Sequence, residues 1–176
     1  ILLNNQYEKP HLQSIASKSF NTALSDDTFF IFEIISHTKL IYTNLNKDQQ
    51  ELLQVFVNGT VKDFDAFVQN HQDYITRDKL NLQVLRHKIL VLTFVSIAHG
   101  KKTILFSELY EQLGVDTLQL KKLCVSINST DVAKLSIDSV NEQIIINYCQ
   151  PREMTPEVWE SMAKGLHALA ESITQK

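Results

Sequence analysis

The stretch LNLQVLRHKILVLTFVSIA, residues 80–98, decides the fold of this chain. Residues 89–98 are apolar at all but two positions, so a helix here would be covered by protein on nearly every side. The apolar run is too short to cross a bilayer, and three basic residues, 86–88, lie just ahead of it. We therefore predict a central buried helix over residues 80–98, capped by Thr76, that joins two subdomains sharing one core.

The sequence before this stretch begins with two helical patterns. Apolar residues spaced three and four apart predict an amphipathic helix over Pro10–Leu24. A second cluster, residues 29–35, contains three phenylalanines and is too apolar for an exposed surface. We expect it to form a buried helix that Ser25 or Asp27 caps.

Two capping boxes predict the next pair of helices. Asn46 with Gln49 precedes one apolar pattern, and Thr60 with Asp63 precedes another. Gly59 is expected to end the first of these helices. Because no strand pattern occurs before residue 102, the region is typical of an α-solenoid or an irregular helical stack.

The pattern changes after Gly100, where short strand and helix signals alternate. The order is strand, helix, helix and hairpin, which predicts a winged helix. The first expected elements are a strand over 103–106 and a helix over 108–113 that Ser107 caps and Gly114 ends. A second helix, opened by Asp116 and Gln119, has the apolar positions Leu118, Leu120, Leu123, Cys124, Val125 and Ile127. Strands over 133–138 and 142–149 follow and are joined by a turn at 139–141.

The last predicted element is a helix that starts at Thr155 and Pro156. Its apolar positions, spaced three and four apart, form a narrow seam of Trp159, Met162, Leu166, Leu169 and Ile173. This helix either folds back on the winged helix or joins a bundle with other subunits. The narrow seam favours the bundle.

Three segments follow from these patterns. Residues 1–79 form a helical-repeat subdomain, residues 80–150 a winged-helix subdomain entered through the long helix, and residues 151–176 a C-terminal bundle helix. We thus expect a mostly α fold in which a helical-repeat stack precedes a winged helix with a small antiparallel sheet and a C-terminal helix.

Composition limits the function classes. The chain has 176 residues, of which 44% are hydrophobic and 21% charged, as in ordinary folded domains. The net charge of −3 gives no general attraction to phosphate backbones. Cys124 and Cys149 lie in apolar patterns and are expected to be packed thiols in a reducing compartment. Since the chain starts at Ile1, we expect it to be a fragment.

No catalytic or metal-binding motif stands out in the sequence. There is no Gly-rich phosphate loop, Gly-x-Ser-x-Gly, His-Glu-x-x-His or Cys-x-x-Cys, and the six histidines never fall at ligand spacing. We therefore predict that the protein is not an enzyme and has no cofactor, no metal and no small-molecule substrate.

Nucleic-acid binding through the winged helix is the alternative function. Residues 100–150 include five lysines and six carboxylates, so the local net charge is negative. The candidate recognition helix offers Lys121 and Lys122 but no Arg for base readout. A solvated lysine pair is favoured, and the two lysines are weak nucleic-acid candidates.

The succession of helical stack, long buried helix, winged helix and terminal helix resembles the PCI module of the proteasome lid, the signalosome and translation initiation factor 3. Several segments resemble the subunit m family of eukaryotic translation initiation factor 3 more closely, namely residues 23–26, 29–33, 51–56, 67–70, 88–94, 134–138, 144–146 and Trp159. The turn Ser139-Val-Asn-Glu142 departs from the pattern because it lacks the charged residues expected there. Much of the similarity is shared with the seventh signalosome subunit.

The resemblance implies the C-terminal part of a noncatalytic scaffold subunit, with further helical repeats upstream. Such a cytoplasmic subunit would contact other PCI subunits, support assembly of the 43S preinitiation complex, and touch ribosome or RNA only indirectly, with no membrane contact. The alternatives are a subunit of the signalosome or the proteasome lid, and a winged-helix nucleic-acid-binding module. The sheet contact is expected at Lys134, Leu135, Ser136, Ile137, Asp138, Ile144, Ile146 and Tyr148, and the bundle contact at the Trp159–Ile173 seam.

Overall fold

A computed structural model describes residues 5–156, 158–160 and 163–164. In this part of the chain, helices predominate and three short strands form one antiparallel sheet, which confirms the predicted mostly α class. The elements are α1 (Asn5–Ser25), α2 (Phe32–His37), α3 (Lys39–Tyr42), α4 (Lys47–Asn58), α5 (Val61–Asn70), α6 (Gln72–Arg77), α7 (Leu82–Ala98), β1 (Thr103–Leu105), α8 (Phe106–Leu113), α9 (Thr117–Asn128), β2 (Ala133–Asp138) and β3 (Gln143–Cys149).

Helix α7 is the predicted central helix. Nine of its residues are buried, on more than one face of the helix, because it packs against α1 and α5 on the N-terminal side and against α8, α9 and β3 on the other. The predicted cap, Thr76, is wrong: its hydroxyl donates to the carbonyl of Gln72 within α6. The side chain of Asn81 instead accepts from the backbone of Gln83 and Val84, and thereby caps α7.

All three predicted capping boxes are present. Asn46 with Gln49 opens α4, Thr60 with Asp63 opens α5, and Asp116 with Gln119 opens α9. In each, the first side chain accepts from the third helical residue, whose own side chain accepts from the backbone of the cap. Gly114 ends α8 as predicted, with φ of +64°, a left-handed conformation that suits glycine.

The helix predicted over residues 29–35 starts later than expected. The Asp26 carboxylate accepts from the amide and hydroxyl of Thr28, so this turn, rather than a cap at Ser25 or Asp27, follows α1. Residues 29–31 are not helical, and α2 begins at Phe32 without a side-chain cap. The cluster is also only partly buried, since the Ile34 side chain is 58% exposed.

Two short helices and one cap differ from the sequence prediction in smaller ways. Helices α3 and α6, of four and six residues, were not predicted because they carry no apolar period of their own. Helix α8 begins at Phe106, directly after β1, so Ser107 lies inside the helix and does not cap it.

The sheet has the order β1-β3-β2, with β3 in the centre and antiparallel to both neighbours. Ile104 and Ile137 both pair with Ile144, which places all three on the same face of the sheet. β2 and β3 form the predicted hairpin, with a register irregularity between Lys134 and Leu135. The chain from β1 to β3 therefore follows the predicted order of strand, helix, helix and hairpin.

A single hydrophobic cluster runs through the described residues. It joins Phe20, Phe56 and Phe64 of the N-terminal helices to Leu109 of α8 and Ile144 of the sheet. Helix α7 contributes to it along its length. The segment boundaries at residues 79 and 150 stay a prediction.

Candidate protein-interaction surfaces

The predicted sheet contact divides into residues that face the core and residues that face outward. Leu135 is 6% exposed and Ile144 is fully buried, so neither side chain is available to a partner. Ile146 is partly buried and packs against the same core. The strand alternation puts these side chains on the face that covers α7 and α9, and this removes Leu135 and Ile144 from the predicted contact.

The outer face of the sheet carries one residue of the predicted set, Ser136, and three exposed neighbours that the set did not include. Ile145 is 37% exposed and lies opposite Ser136, whose hydroxyl accepts from the Asn147 side chain. Leu105 at the end of β1 is 56% exposed. This outer face, defined by Leu105, Ser136, Ile145 and Asn147, combines two apolar side chains with two small polar groups, as protein contacts often do.

The outer edge of β2 is partly closed by α9. The Asn128 side chain accepts from the amide of Leu135 at 2.7 Å and donates to its carbonyl at 3.0 Å, which occupies both edge-facing groups of that residue. Lys134, one of the predicted contact residues, donates to the carbonyls of Asn128 and Thr130 at the end of α9. A strand added at this edge would therefore pair with backbone amides and carbonyls of β2 that follow Leu135, near Ile137. The Ile137 side chain is 36% exposed.

Asp138 organises the hairpin turn. Its carboxylate accepts from the Asn141 and Gln143 side chains and from the amides of Val140 and Asn141. These hydrogen bonds, with that of the Asn141 side chain the strongest, lower the pKa of Asp138 to about 2. Asp138 is therefore a structural residue of the turn, while Tyr148 at the other end of β3 is 51% exposed.

The two nucleic-acid candidates lie on α9. Lys122 is exposed and Lys121 is half-buried, and within the part of the chain that the structure describes neither forms an ion pair. Leu118 and Val125, two of the predicted apolar positions of this helix, are 63% and 64% exposed. The outward face of α9 therefore carries two large apolar side chains, which suit a protein contact better than a phosphate backbone.

Arg152, just after β3, ties the sheet to the helical stack. Its guanidinium donates to the carbonyls of Val55 and Phe56 in the last turn of α4, to the carbonyl of Gly59, and to the hydroxyl of Ser96 on α7. The last carbonyls of a helix lack partners within it, so the cation completes the end of α4. Burial lowers the pKa of Arg152 to about 10.

A second contact holds the same segment. The carboxylate of Glu33 on α2 is buried and accepts from the amide of Met154 at 3.0 and 3.1 Å. The predicted helix start follows, where the hydroxyl of Thr155 accepts from Val158 and its carbonyl from Trp159. Trp159 is 59% exposed, and Met162, Leu166, Leu169 and Ile173 of the predicted seam lie outside the described residues.

Lys88 is a buried cation in the middle of the fold. It is 1% exposed, and its ammonium donates to the carbonyls of Ala23, Asp26 and Phe29 where α1 ends. The nitrogen also lies 5.4 Å from the centre of the Phe32 ring. Burial lowers the pKa of Lys88 to about 8, against the opposing attraction of the Asp26 and Asp27 carboxylates.

Sequence reasoning missed the roles of both cations. The sequence predicts Lys88 as one of three basic residues ahead of the apolar run, although it shares a helix face with Leu85 and Leu92, each 2% exposed. A charged residue three positions after one core leucine and four before the next lies on the buried face of the helix, and this spacing was the available signal. No comparable signal marks Arg152, because its carbonyl acceptors lie 93 to 97 residues earlier in the chain and its hydroxyl acceptor, Ser96, lies 56 residues earlier.

Across residues 5–156, 158–160 and 163–164, no three His, Cys, Asp or Glu side chains come together as a metal site. Both cysteines are free thiols, and burial raises the pKa of each to about 11. None of the helices described is long and apolar enough to cross a membrane.

Comparison with known proteins gives one consistent result. No profile of a protein family matches the chain. Subunit M of eukaryotic translation initiation factor 3 from Nematostella vectensis is 27% identical over 116 residues, which is 66% of this chain and 31% of that protein. The subunits M of Drosophila sechellia and Drosophila melanogaster are each 21% identical over 159 residues, 90% of this chain and 41% of theirs.

The chain thus spans between about a third and two fifths of the length of the curated relatives that it matches. Their names are those of a subunit of an initiation factor and indicate no enzymatic family. The resemblance predicted from the sequence is confirmed: this chain is similar to subunit M of eukaryotic translation initiation factor 3.

Proposed function

We propose that this chain is the PCI portion of a noncatalytic scaffold subunit of eukaryotic translation initiation factor 3. The observation that carries the proposal is the match to fly subunit M over 90% of the chain. The order of elements supports it, because helices, one long buried helix, and then strand, helix, helix and hairpin follow one another as in a PCI module with its winged helix.

The packing is what a scaffold requires. The core cluster is continuous, and the cations of Lys88 and Arg152 complete helix ends that lie far from them in sequence. A block held in this way keeps its outer faces in fixed relative positions, so a partner bound at one face is oriented toward partners at another. This is a function that needs no reacting group.

Two surfaces are assigned to partners in this proposal. The outer face of the sheet, with Ile145 and Leu105 exposed, contacts a neighbouring PCI subunit. Ile137 and Tyr148 are also exposed, near the ends of β2 and β3, and would meet the partner at the rim of the sheet rather than on this outer face. The helix that starts at Pro156 and carries Trp159 contributes to a bundle shared with other subunits. In this role the protein is cytoplasmic and supports assembly of the 43S preinitiation complex.

The experiment is affinity purification of the tagged full-length protein from cells of its source, followed by mass spectrometry. The proposal expects the other subunits of translation initiation factor 3 in stoichiometric amounts. Recovery of signalosome or proteasome lid subunits in their place would reassign the chain to those complexes. Recovery of RNA alone, lost when Lys121 and Lys122 are changed to Glu, would favour the nucleic-acid alternative.

Matched variants separate the contact surface from the core. Ile145→Asp places a charge on the outer face and is expected to remove a neighbouring subunit while the domain keeps its melting temperature within a few degrees. Ile144→Asp, the adjacent but fully buried position, is expected to unfold the domain. Leu166→Asp and Leu169→Asp test the bundle helix in the same way, and unfolding by either would contradict the intersubunit role.

A further inference from the structure

A groove lies between the loop after α1, the start of α7 and the end of α9. Its volume is about 690 Å³, a size that encloses a small ligand or a few side chains of a peptide. Phe30, Ile31, Val84 and Val132 supply apolar lining. An adjoining cavity of about 280 Å³ shares Phe30, Ile31, Val132 and Gln150 with it, so these residues separate two neighbouring depressions on one side of the molecule.

Ile31 is the exposed apolar residue of this groove. It lies in the non-helical connection between α1 and α2 and is 46% exposed, whereas its neighbour Phe30 is 5% exposed. The groove therefore has a buried aromatic floor and an aliphatic rim. Such a combination can take up an apolar side chain from another molecule.

Two carboxylates give the groove its charge. Asp27 and Asp131 line it from opposite elements, the loop after α1 and the loop after α9, and both are exposed. Among the residues described, neither carboxylate accepts a side-chain hydrogen bond or forms an ion pair. They are free to pair with cations supplied by a partner.

None of the described cations nearby forms an ion pair with these carboxylates, although Asp27 attracts the Lys88 ammonium at longer range. The Lys88 ammonium is held by three carbonyls, that of Lys134 by the carbonyls of Asn128 and Thr130, and the Arg152 guanidinium by the end of α4. His87, which also lines the groove, bonds the Ser126 hydroxyl at 2.8 Å, and burial lowers its pKa. The groove is thus acidic as well as apolar.

We propose that this groove binds an extended peptide segment that carries an aliphatic or aromatic side chain flanked by Arg or Lys. The apolar side chain enters between Phe30 and Val132, and the flanking cations pair with Asp27 and Asp131. The polar side chains of Gln83, Ser129 and Gln150 are available to the peptide backbone. A phosphate backbone is disfavoured here, because it would meet two carboxylates and no free cation among the groove residues described.

The test starts with selection of displayed random peptides against the immobilised 176-residue chain. The enriched sequences are expected to combine basic and apolar residues. The strongest is then synthesised with a fluorophore and titrated by fluorescence polarisation. Asp27→Asn with Asp131→Asn is expected to weaken binding about tenfold, and added sodium chloride to weaken it further.

Matched variants make the result specific. Asp73→Asn with Glu111→Gln removes two exposed carboxylates elsewhere and is expected to change the affinity by less than about twofold. Ile31→Ser keeps the charge of the groove and is expected to weaken binding about tenfold through the lost apolar contact. Circular dichroism of each variant confirms that the fold is retained.

Three outcomes would overturn the inference. They are a selection that yields acidic or no sequences, binding that the two groove variants leave unchanged, and tighter binding of a single-stranded RNA oligonucleotide than of any selected peptide. The inference does not depend on the proposed function, because the measurement uses the isolated chain and none of the subunits expected in the purification.

Discussion

Replacing Lys88 with Met tests the idea that a buried cation holds α1 and the loop after it against α7. Met matches the length of the lysine stem, so packing against Phe30 and Phe32 is largely retained. What is lost is the ammonium and its donation to the carbonyls of Ala23, Asp26 and Phe29. We expect the variant to fold with a lower free energy of unfolding.

The size of the loss follows from two opposing contributions. Hydrogen bonds from a charged donor stabilise by about 1.5–3 kcal/mol each, so the three together contribute roughly 5–9 kcal/mol. Burial of the charge opposes this, and the folded-state pKa of about 8 means that burial outweighs the carbonyls in the balance between ammonium and amine. Lys88→Met still loses stability, because it leaves buried carbonyls without their donor, and we expect it to lower the free energy of unfolding by about 2–5 kcal/mol.

Urea denaturation at neutral pH, followed by circular dichroism, measures this difference. Lys62→Met is the matched control, because Lys62 is an exposed residue of α5 and its substitution should change the free energy by less than about 0.5 kcal/mol. A Lys88→Met protein as stable as the control would refute the reasoning. It would mean that water or a shifted backbone satisfies the three carbonyls without the ammonium.

The pH dependence of the same pair of proteins checks the sign of the pKa change. The folded-state pKa of Lys88, about 8, lies below the value near 10.4 of an unfolded lysine. Between these values the unfolded state binds more protons, so the Lys88 contribution to stability rises with pH and is smallest below pH 8. The deficit of Lys88→Met should therefore widen from about pH 8 to about pH 10; a narrowing deficit would mean that the carbonyls outweigh burial and raise the pKa.

Three further changes test other contacts. Arg152→Gln should lower the free energy of unfolding by about 2–4 kcal/mol, as measured by urea denaturation. Arg152→Lys should be more stable than Arg152→Gln but less stable than the parent protein, since the ammonium of a lysine cannot reach all the acceptors at the end of α4. The parent protein should lose protection of the hairpin as the pH falls from about 4 through about 2, because the folded pKa of Asp138 is depressed below its unfolded value. Asp138→Asn should not show this pH-dependent loss, and hydrogen exchange of β2 and β3 measures the difference. Asn128→Ala should free the β2 edge at Leu135 and cost about 1–2 kcal/mol, with concentration-dependent self-association in light scattering; a monomer at every concentration would contradict the edge-closing role.

Local signals explain which parts of the fold were predictable from sequence. Each capping box is complete within four residues, so Asn46, Thr60 and Asp116 mark helix starts whatever the rest of the chain does. The start of α2 was wrong for the opposite reason. The phenylalanines of residues 29–32 suit a helix or an extended loop equally well, and the turn around Asp26 decides between them.

The candidate surfaces show a different limit. Alternation along β2 already places Leu135 on the core face, yet the predicted contact took both faces of each strand. Conversely, Leu118 and Val125 fit the apolar pattern of α9, although no element of the described chain covers them. Period alone identifies a helix, but it cannot say how wide a stripe the neighbouring elements will cover.

Two cations, the buried Lys88 and the half-buried Arg152, connect the fold to the proposed scaffold function. The end of α1 is completed by a side chain of α7, and the end of α4 by a side chain that follows β3. The N-terminal helices therefore cannot separate from the later part of the chain without leaving backbone carbonyls unpaired and two charges without acceptors. The outer face of the sheet and the groove beside Ile31 are thus held on one block, and a partner bound at either is positioned relative to the other.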